Sequence, residues 1–130
     1  MNKLKNLLKK IIPSWVFSIY HWKLALLGAL IYRFPARHIK VVAVTGTKGK
    51  SSTTELVSTI LEEAGYKTAL VSTVRFKIGN KSQPNRLKMT TPGRFTLQKL
   101  IREAVDARCD YIVLEISSEA TKQFRHKFIA

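Results

Sequence analysis

Apolar and polar positions follow a helical period at the start of the chain and a mixture of helical and strand periods after it. In "MNKLKNLLKKII", Leu4, Leu7, Leu8, Ile11 and Ile12 recur at helical spacing with lysines opposite, which predicts an amphipathic helix ended by Pro13. Ser14 is placed to cap a second, more apolar helix running through "WVFSIYHWKLALLGALIY" to about Tyr32. Those 18 residues approach membrane-spanning length but include His21 and Lys23, so the reading is an interfacial or packed helix and not a span.

"FPAR" breaks this pattern, and a new unit starts near Ile39. "IKVVAV" reads as a buried parallel strand, and Ser51 to Ala64 as a helix with Leu56, Val57, Ile60 and Leu61 at helical spacing, ended by Gly65. "YKTALVST" is a second strand, "VRFKIGNKS" an alternating segment able to turn back as a hairpin, and "QPNRLKMTTPG" a loop. Leu97, Leu100, Ile101, Ala104 and Val105 outline another helix, "DYIVLEI" a strand, and Glu119 to Phe128 the start of a further helix. This order predicts an α/β fold: an open, mainly parallel sheet with right-handed crossovers, preceded by two helices.

Composition adds a partner class. The formal charge is +15, and residues 1–40 hold Lys3, Lys5, Lys9, Lys10, Lys23, Arg33, Arg37 and Lys40 without an acid, which calls for an anionic partner. Lysines opposite an apolar stripe, with Trp15, Tyr20 and Trp22 close by, suit contact of residues 1–35 with an anionic membrane; packing of both helices on the following domain is as good a reading. The single cysteine, Cys109, rules out an internal disulfide framework and points to a reducing compartment, with the cytoplasm, at or off the inner membrane face, as the expectation. His21 and His38 have no metal-ligand spacing around them.

The chemistry concentrates in "VVAVTGTKGKSST", where strand, glycine loop and helix follow in immediate succession, the context of a phosphate-binding loop (P-loop). Backbone amides around Gly46 to Lys50 can converge on phosphate oxygens, and the helix starting near Ser51 adds its dipole. Thr45, Gly46, Thr47, Lys48, Gly49, Lys50, Ser51 and Ser52 are the candidate ATP contacts, Lys50 reaching the β/γ-phosphates in the catalytic role and Ser51 offering its hydroxyl to Mg²⁺. Val44 stands where the generic motif has glycine or alanine. Glu115, at the carboxyl end of "DYIVLEI", lies where an open α/β sheet places its ligands, and its carboxylate can hold Mg²⁺ opposite Ser51; an ordinary ion pair at a strand end is the plainer alternative.

Three motifs in order resemble the Mur ligases, and among them the UDP-N-acetylmuramoyl-tripeptide synthetases. "VTGTKGKSSTT" resembles that family's "TGTNGKTTT" loop, "MTTPG" its TTP loop, and "LEISSEATKQFRHKF" its "EVSSHAL…R" segment, with Arg125 eight residues after Ser117. The resemblance covers residues 39–130 and implies part of a central ATPase domain, behind a basic leader at 1–38. It implies an ATP-dependent carboxylate–amine ligase of peptidoglycan synthesis that adds an amino acid to a UDP-N-acetylmuramoyl-peptide through an acyl phosphate, with Thr90, Thr91, Ser117 and Arg125 holding the substrate. Glu119 stands where these ligases usually carry a histidine, and His126 is more simply a surface residue. The family's UDP-binding domain, carbamylated lysine, adenine contacts and C-terminal domain have no counterpart among these residues, so the expectation is a fragment that binds phosphate but does not complete ligation. The alternatives are another P-loop enzyme, such as a small kinase or a folylpolyglutamate-type ligase, and a non-catalytic basic module on membrane or nucleic acid, nucleic acid being the less favoured.

Overall fold

The computed structural model describes residues 13–122 and 127–129. The first predicted helix and Arg125 therefore lie outside the described residues. Helix α1 (Ser14–Ile31) leads through a 3₁₀ turn (Pro35–His38) into β1 (Lys40–Val44), α2 (Lys50–Glu63), β2 (Thr68–Val71), β3 (Arg75–Ile78), β4 (Lys81–Pro84), α3 (Arg94–Asp106), β5 (Tyr111–Glu115) and α4 (Ser118–Lys122). The sheet has the order β1-β5-β2-β3-β4. β1, β5 and β2 are parallel, whereas β3 turns back antiparallel on β2 and forms with β4 the hairpin that "VRFKIGNKS" allowed, so two of the four strand pairings are antiparallel. The cause is connection length: Ser72–Val74 is too short for a crossover, which needs about a dozen residues. β4 also takes in Gln83 and Pro84 from the expected loop; it is an exposed edge strand, where proline is tolerated.

One face of the sheet presents Ala69, Val71, Phe76, Ile112 and Leu114 to Leu97, Leu100, Ile101 and Ala104 of α3. Helix α1 lies on α3 through its small residues Ala25, Gly28 and Ala29; a Cβ on Gly28 would meet the Phe95 ring at 3.5 Å. Pro13, not Ser14, occupies the N-cap position of α1, and Ser14 instead accepts the Ser18 hydroxyl at its carbonyl.

Helix α2 covers the other face, and its phase differs from the expected one. Thr54 and Ser58 are buried, whereas Leu56 and Ile60 are 60% and 57% exposed. Polar bonds set that phase. Ser58 and Thr68 hydroxyls meet at 2.9 Å, Thr68 donates to Glu62 at 2.5 Å, and Lys77 pairs with the same carboxylate. Arg75 grips Glu55 with two hydrogen bonds of 2.8 and 2.7 Å. β1, expected to be buried, is the sheet's edge beside β5, with Lys40 and Ala43 exposed.

The three long helices among the described residues, α1, α2 and α3, end in the same way. The amide of Tyr66 bonds to Leu61 O and that of Gly65 to Glu62 O; Phe34 and Arg33 repeat the pattern on Ala29 and Leu30, and Cys109 and Arg108 on Ala104 and Val105. These are Schellman motifs, whose left-handed residue is glycine by preference. Gly65 meets it at φ 91°, but Arg33 and Arg108 adopt φ 57° and 58° with a Cβ in place. Replacing Arg108 with glycine is expected to stabilise the fold by about 0.5–1 kcal/mol, the left-handed penalty exceeding the added chain entropy. Gly65→Ala is expected to cost about 1 kcal/mol. Urea unfolding midpoints check both signs.

The hydrogen bond from Arg75 lowers the pKa of Glu55, and those from Lys77 and Thr68 lower that of Glu62. Because the folded values lie below the ordinary 4.5, both carboxylates stabilise the fold above that pH, and this contribution is lost as pH falls through 4.5 toward the folded values. A Glu55→Gln, Glu62→Gln double variant is expected to lose stability at neutral pH and to show a flatter acid dependence, measured by urea midpoints across the acid range.

Candidate functional site

Parallel pairing of β1 with β5 places Val44 opposite Glu115, and the Ile116 amide closes the ladder on Val44 O at 2.9 Å. Both strands end at the same level, so the loop leaving β1 and the carboxylate ending β5 share one edge of the sheet. The loop is exposed from Thr45 to Gly49 and turns into α2 at Gly49, whose φ of 73° suits a residue without a Cβ. No side chain caps α2, so its first amides face outward together with the positive end of the helix dipole. Lys50 opens the helix half-buried, and its ammonium group has no hydrogen-bond or ion-pair partner among the described residues.

Ser51, one residue on, donates its hydroxyl to Glu115 Oε2 at 2.9 Å across 64 residues of chain. The fold thus brings Ser51 and Glu115 together. Glu115 is 3% exposed. Its Oε2 also receives the backbone amide of Thr73 at 2.8 Å and the Thr73 hydroxyl at 3.0 Å, whereas Oε1 takes no hydrogen bond from the described residues. No lysine or arginine among the described residues pairs with it.

The 85–93 loop lies against the same edge. Thr90 Oγ1 is 3.0 Å from Thr73 Oγ1. Thr91 is 1% exposed, donates to Glu115 O at 3.0 Å and accepts the Ser117 amide at 3.0 Å, so its hydroxyl fastens the loop to the end of β5. Ser117 caps α4 by accepting the Ala120 amide at 3.1 Å. Thr45 to Ser52, Thr90, Thr91, Glu115 and Ser117 therefore gather at one edge. Glu119 is exposed at the start of α4. His21 lies apart, with Nδ1 2.5 Å from an Arg94 nitrogen between α1 and α3. Cys109 is buried, and burial pushes its thiol pKa up, which leaves it a packing residue and no nucleophile.

Thr73 is the contact that sequence reading missed. "ST" after a strand carries no motif, and only the order β5-β2 sets the end of β2 beside Glu115.

Residues 44–130 match the family model described as the Mur ligase middle domain. The chain belongs to the Mur ligase family. It is 42% identical over 97 residues to the UDP-N-acetylmuramoyl-L-alanyl-D-glutamate–2,6-diaminopimelate ligase of Clostridium botulinum, a match covering 75% of this chain and 20% of that one. It is 43% identical over 97 residues to the UDP-N-acetylmuramyl-tripeptide synthetase of Roseiflexus sp., covering 75% and 19%. A solved UDP-N-acetylmuramoyl-L-alanyl-D-glutamate–2,6-diaminopimelate ligase superposes with a TM-score of 0.57 at 25% identity, covering 67% of this chain and 17% of that one. The chain thus spans about a fifth of the length of the curated relatives it matches.

The clustering predicts a stability effect independent of any ligand. Thr91→Val is expected to destabilise the fold by about 1–3 kcal/mol, because it leaves the half-buried Ser117 amide and the buried Glu115 carbonyl without the Thr91 hydroxyl. Thermal unfolding checks it.

Proposed function

We propose that residues 39–130 form the ATP-binding part of a Mur ligase central domain, serving a carboxylate–amine ligation on a UDP-N-acetylmuramoyl-peptide in the cytoplasm. The observation that carries this reading is the Ser51–Glu115 contact at the mouth of the glycine loop. A buried carboxylate with hydroxyl and amide donors, an open Oε1 and no basic partner among the described residues suits a hard divalent cation. Ser51 and Glu115 would hold Mg²⁺, which when bound neutralises charge on the β- and γ-phosphates. The amides from Gly46 to Ser52 and the dipole of α2 hold phosphate oxygens, with Thr45, Thr47 and Lys48 along the same loop. Lys50, without a side-chain partner among the described residues, supplies the mobile positive charge for the γ-phosphoryl group as it moves.

In the reaction, an oxygen of the acceptor carboxylate forms a bond to the γ-phosphorus while the bond to the β-phosphate oxygen breaks and ADP leaves. The amine of the incoming amino acid then takes the acyl carbon, and inorganic phosphate departs. Thr90, with Arg125 and Ser117, is assigned to orienting the acceptor; Thr91 acts through the placement of Thr90, since its own hydroxyl is committed. Removing Lys50 (Lys50→Ala) is expected to weaken Mg²⁺-dependent ATP binding at least about tenfold, or 1.4 kcal/mol, and Ser51→Ala to abolish its Mg²⁺ dependence. Titration with a fluorescent ATP analogue measures both, and unchanged affinity in both variants would sink the reading. Competition between a muramoyl-dipeptide and a folate-type acceptor separates this reaction from the related folylpolyglutamate-type one.

A specific observation supports membrane contact through residues 1–35. Helix α1 is long and apolar enough to cross a membrane, yet only Ala25, Gly28 and Ala29 are buried, while Trp15, Ile19, Tyr20 and Trp22 are exposed. With the basic, acid-free first forty residues, this face suits the surface of an anionic bilayer. Cosedimentation with phosphatidylglycerol vesicles is expected, weakened by salt and by Trp15→Ser with Tyr20→Ser; equal binding to neutral vesicles would overturn it.

A further inference from the structure

We infer that Thr73 is a positioning residue that couples the cation-side carboxylate of Glu115 to the acceptor-side loop at Thr90; this rests on the nucleotide reading above. Thr73 sits in the short turn between β2 and β3, and two of its groups reach Glu115 Oε2, the amide at 2.8 Å and the hydroxyl at 3.0 Å. The same hydroxyl lies 3.0 Å from Thr90 Oγ1. A hydroxyl has one proton, and an ionised carboxylate only accepts. The Thr73 hydroxyl is placed as donor to both Glu115 Oε2 and Thr90 Oγ1, so its one proton is shared between them and ties the carboxylate to the loop in one relay.

Glu115 Oε2 faces three donors, Ser51 Oγ and the two from Thr73, but carries about two lone-pair sites. The Ser51 hydroxyl is the donor that can be released to another ligand. Once it is, the two Thr73 donors match the two sites and keep the carboxylate aimed, with Oε1 open. The turn that carries Thr73 is stiff. Ser72 Oγ accepts the amides of Val74 and Arg75, both at 3.2 Å, and the Ser72 amide donates to Arg75 O at 3.0 Å.

The turn is also stapled to the loop. Asn85 donates its side-chain nitrogen to Ser72 O at 2.9 Å and to Met89 O at 2.8 Å, and its amide to Val74 O at 3.0 Å. Occupancy beside Glu115 is thus felt at residues 85–90 through one turn, the condition for coupling between a nucleotide side and an acceptor side. Thr73 is exposed, so its side chain can be changed without opening the core.

The test uses the full 130-residue chain with Thr73→Val, which keeps the amide and the shape but removes the hydroxyl, and Thr73→Ser, which keeps the hydroxyl. One readout is the Mg²⁺ concentration that half-saturates binding of a fluorescent ATP analogue. The other is trypsin cleavage at Arg86 and Lys88, both exposed in the loop, with and without Mg²⁺ and ATP. In the parent chain, ATP with Mg²⁺ is expected to slow cleavage severalfold. Thr73→Val should need severalfold more Mg²⁺ and lose the protection, Thr73→Ser should keep both, and Thr90→Val, cutting the relay at its other end, should lose the protection. Retention of both properties by Thr73→Val overturns the inference, as does a parent chain that binds ATP without protecting the loop, a result that leaves the nucleotide reading standing. A parent chain that binds no ATP overturns that reading and this inference together.

Discussion

The register of β5 between β1 and β2 is the constraint on which the rest depends. With Val44 and Val71 facing Glu115 and Leu114, the ends of three parallel strands fall at one level, and everything that follows them emerges at one edge. A slip by one residue would turn Glu115 to the other face of the sheet, and a slip by two would move it roughly 6–7 Å from Ser51. Either breaks a contact of 2.9 Å. The buried run Ile112, Val113, Leu114 holds the register, since its side chains fill both faces and tolerate no shift.

Helix α2 has a second demand on it, because its start must aim the glycine loop. A purely apolar face would fix its depth on the sheet but leave its rotation loosely determined. Thr54 and Ser58 let it sit close, and directional bonds from Thr68, Arg75 and Lys77 to α2 residues fix its rotation. Such a pairing of buried hydroxyls with half-exposed ion pairs gives modest stabilisation and strong orientation. Leu56 and Ile60 remain exposed because of it.

This is also where sequence and structure part. Leu97, Leu100, Ile101 and Ala104 were legible as the core face of α3, since an apolar stripe has one way to be buried there. The same reasoning misassigned α2, because periodicity counts apolar residues and gives no weight to a threonine and a serine held by hydrogen bonds. The glycine loop and Glu115 were legible separately, each from its place at a strand end. Their meeting across 64 residues was an expectation that needed the sheet order to be tested. Thr73 was illegible for the same reason in reverse: without the order β5-β2, nothing marks a threonine in a short turn. The hairpin β3-β4 was half legible, its alternation visible in Arg75–Ile78 but the exposed, polar β4 indistinguishable from a loop.

The charge balance gives the edge of the sheet its character. Lysines and arginines outnumber acids 23 to 8 in this chain, and Glu55, Glu62, Glu103 and Asp106 each carry a basic partner. Glu115 is the most deeply buried carboxylate of the described residues, the one for which an unpaired charge costs most, and it is held by hydroxyl and amide donors alone. A lysine at that position would settle the charge but occupy the oxygen that now stands open. Lys50 lies one residue from Ser51 and makes no ion pair with Glu115; in the proposed function its charge serves an anion at the glycine loop. Opposite charges held apart, neither with an ion-pair partner among the described residues, are what the proposed function requires, since a cation and a polyphosphate must enter between them together.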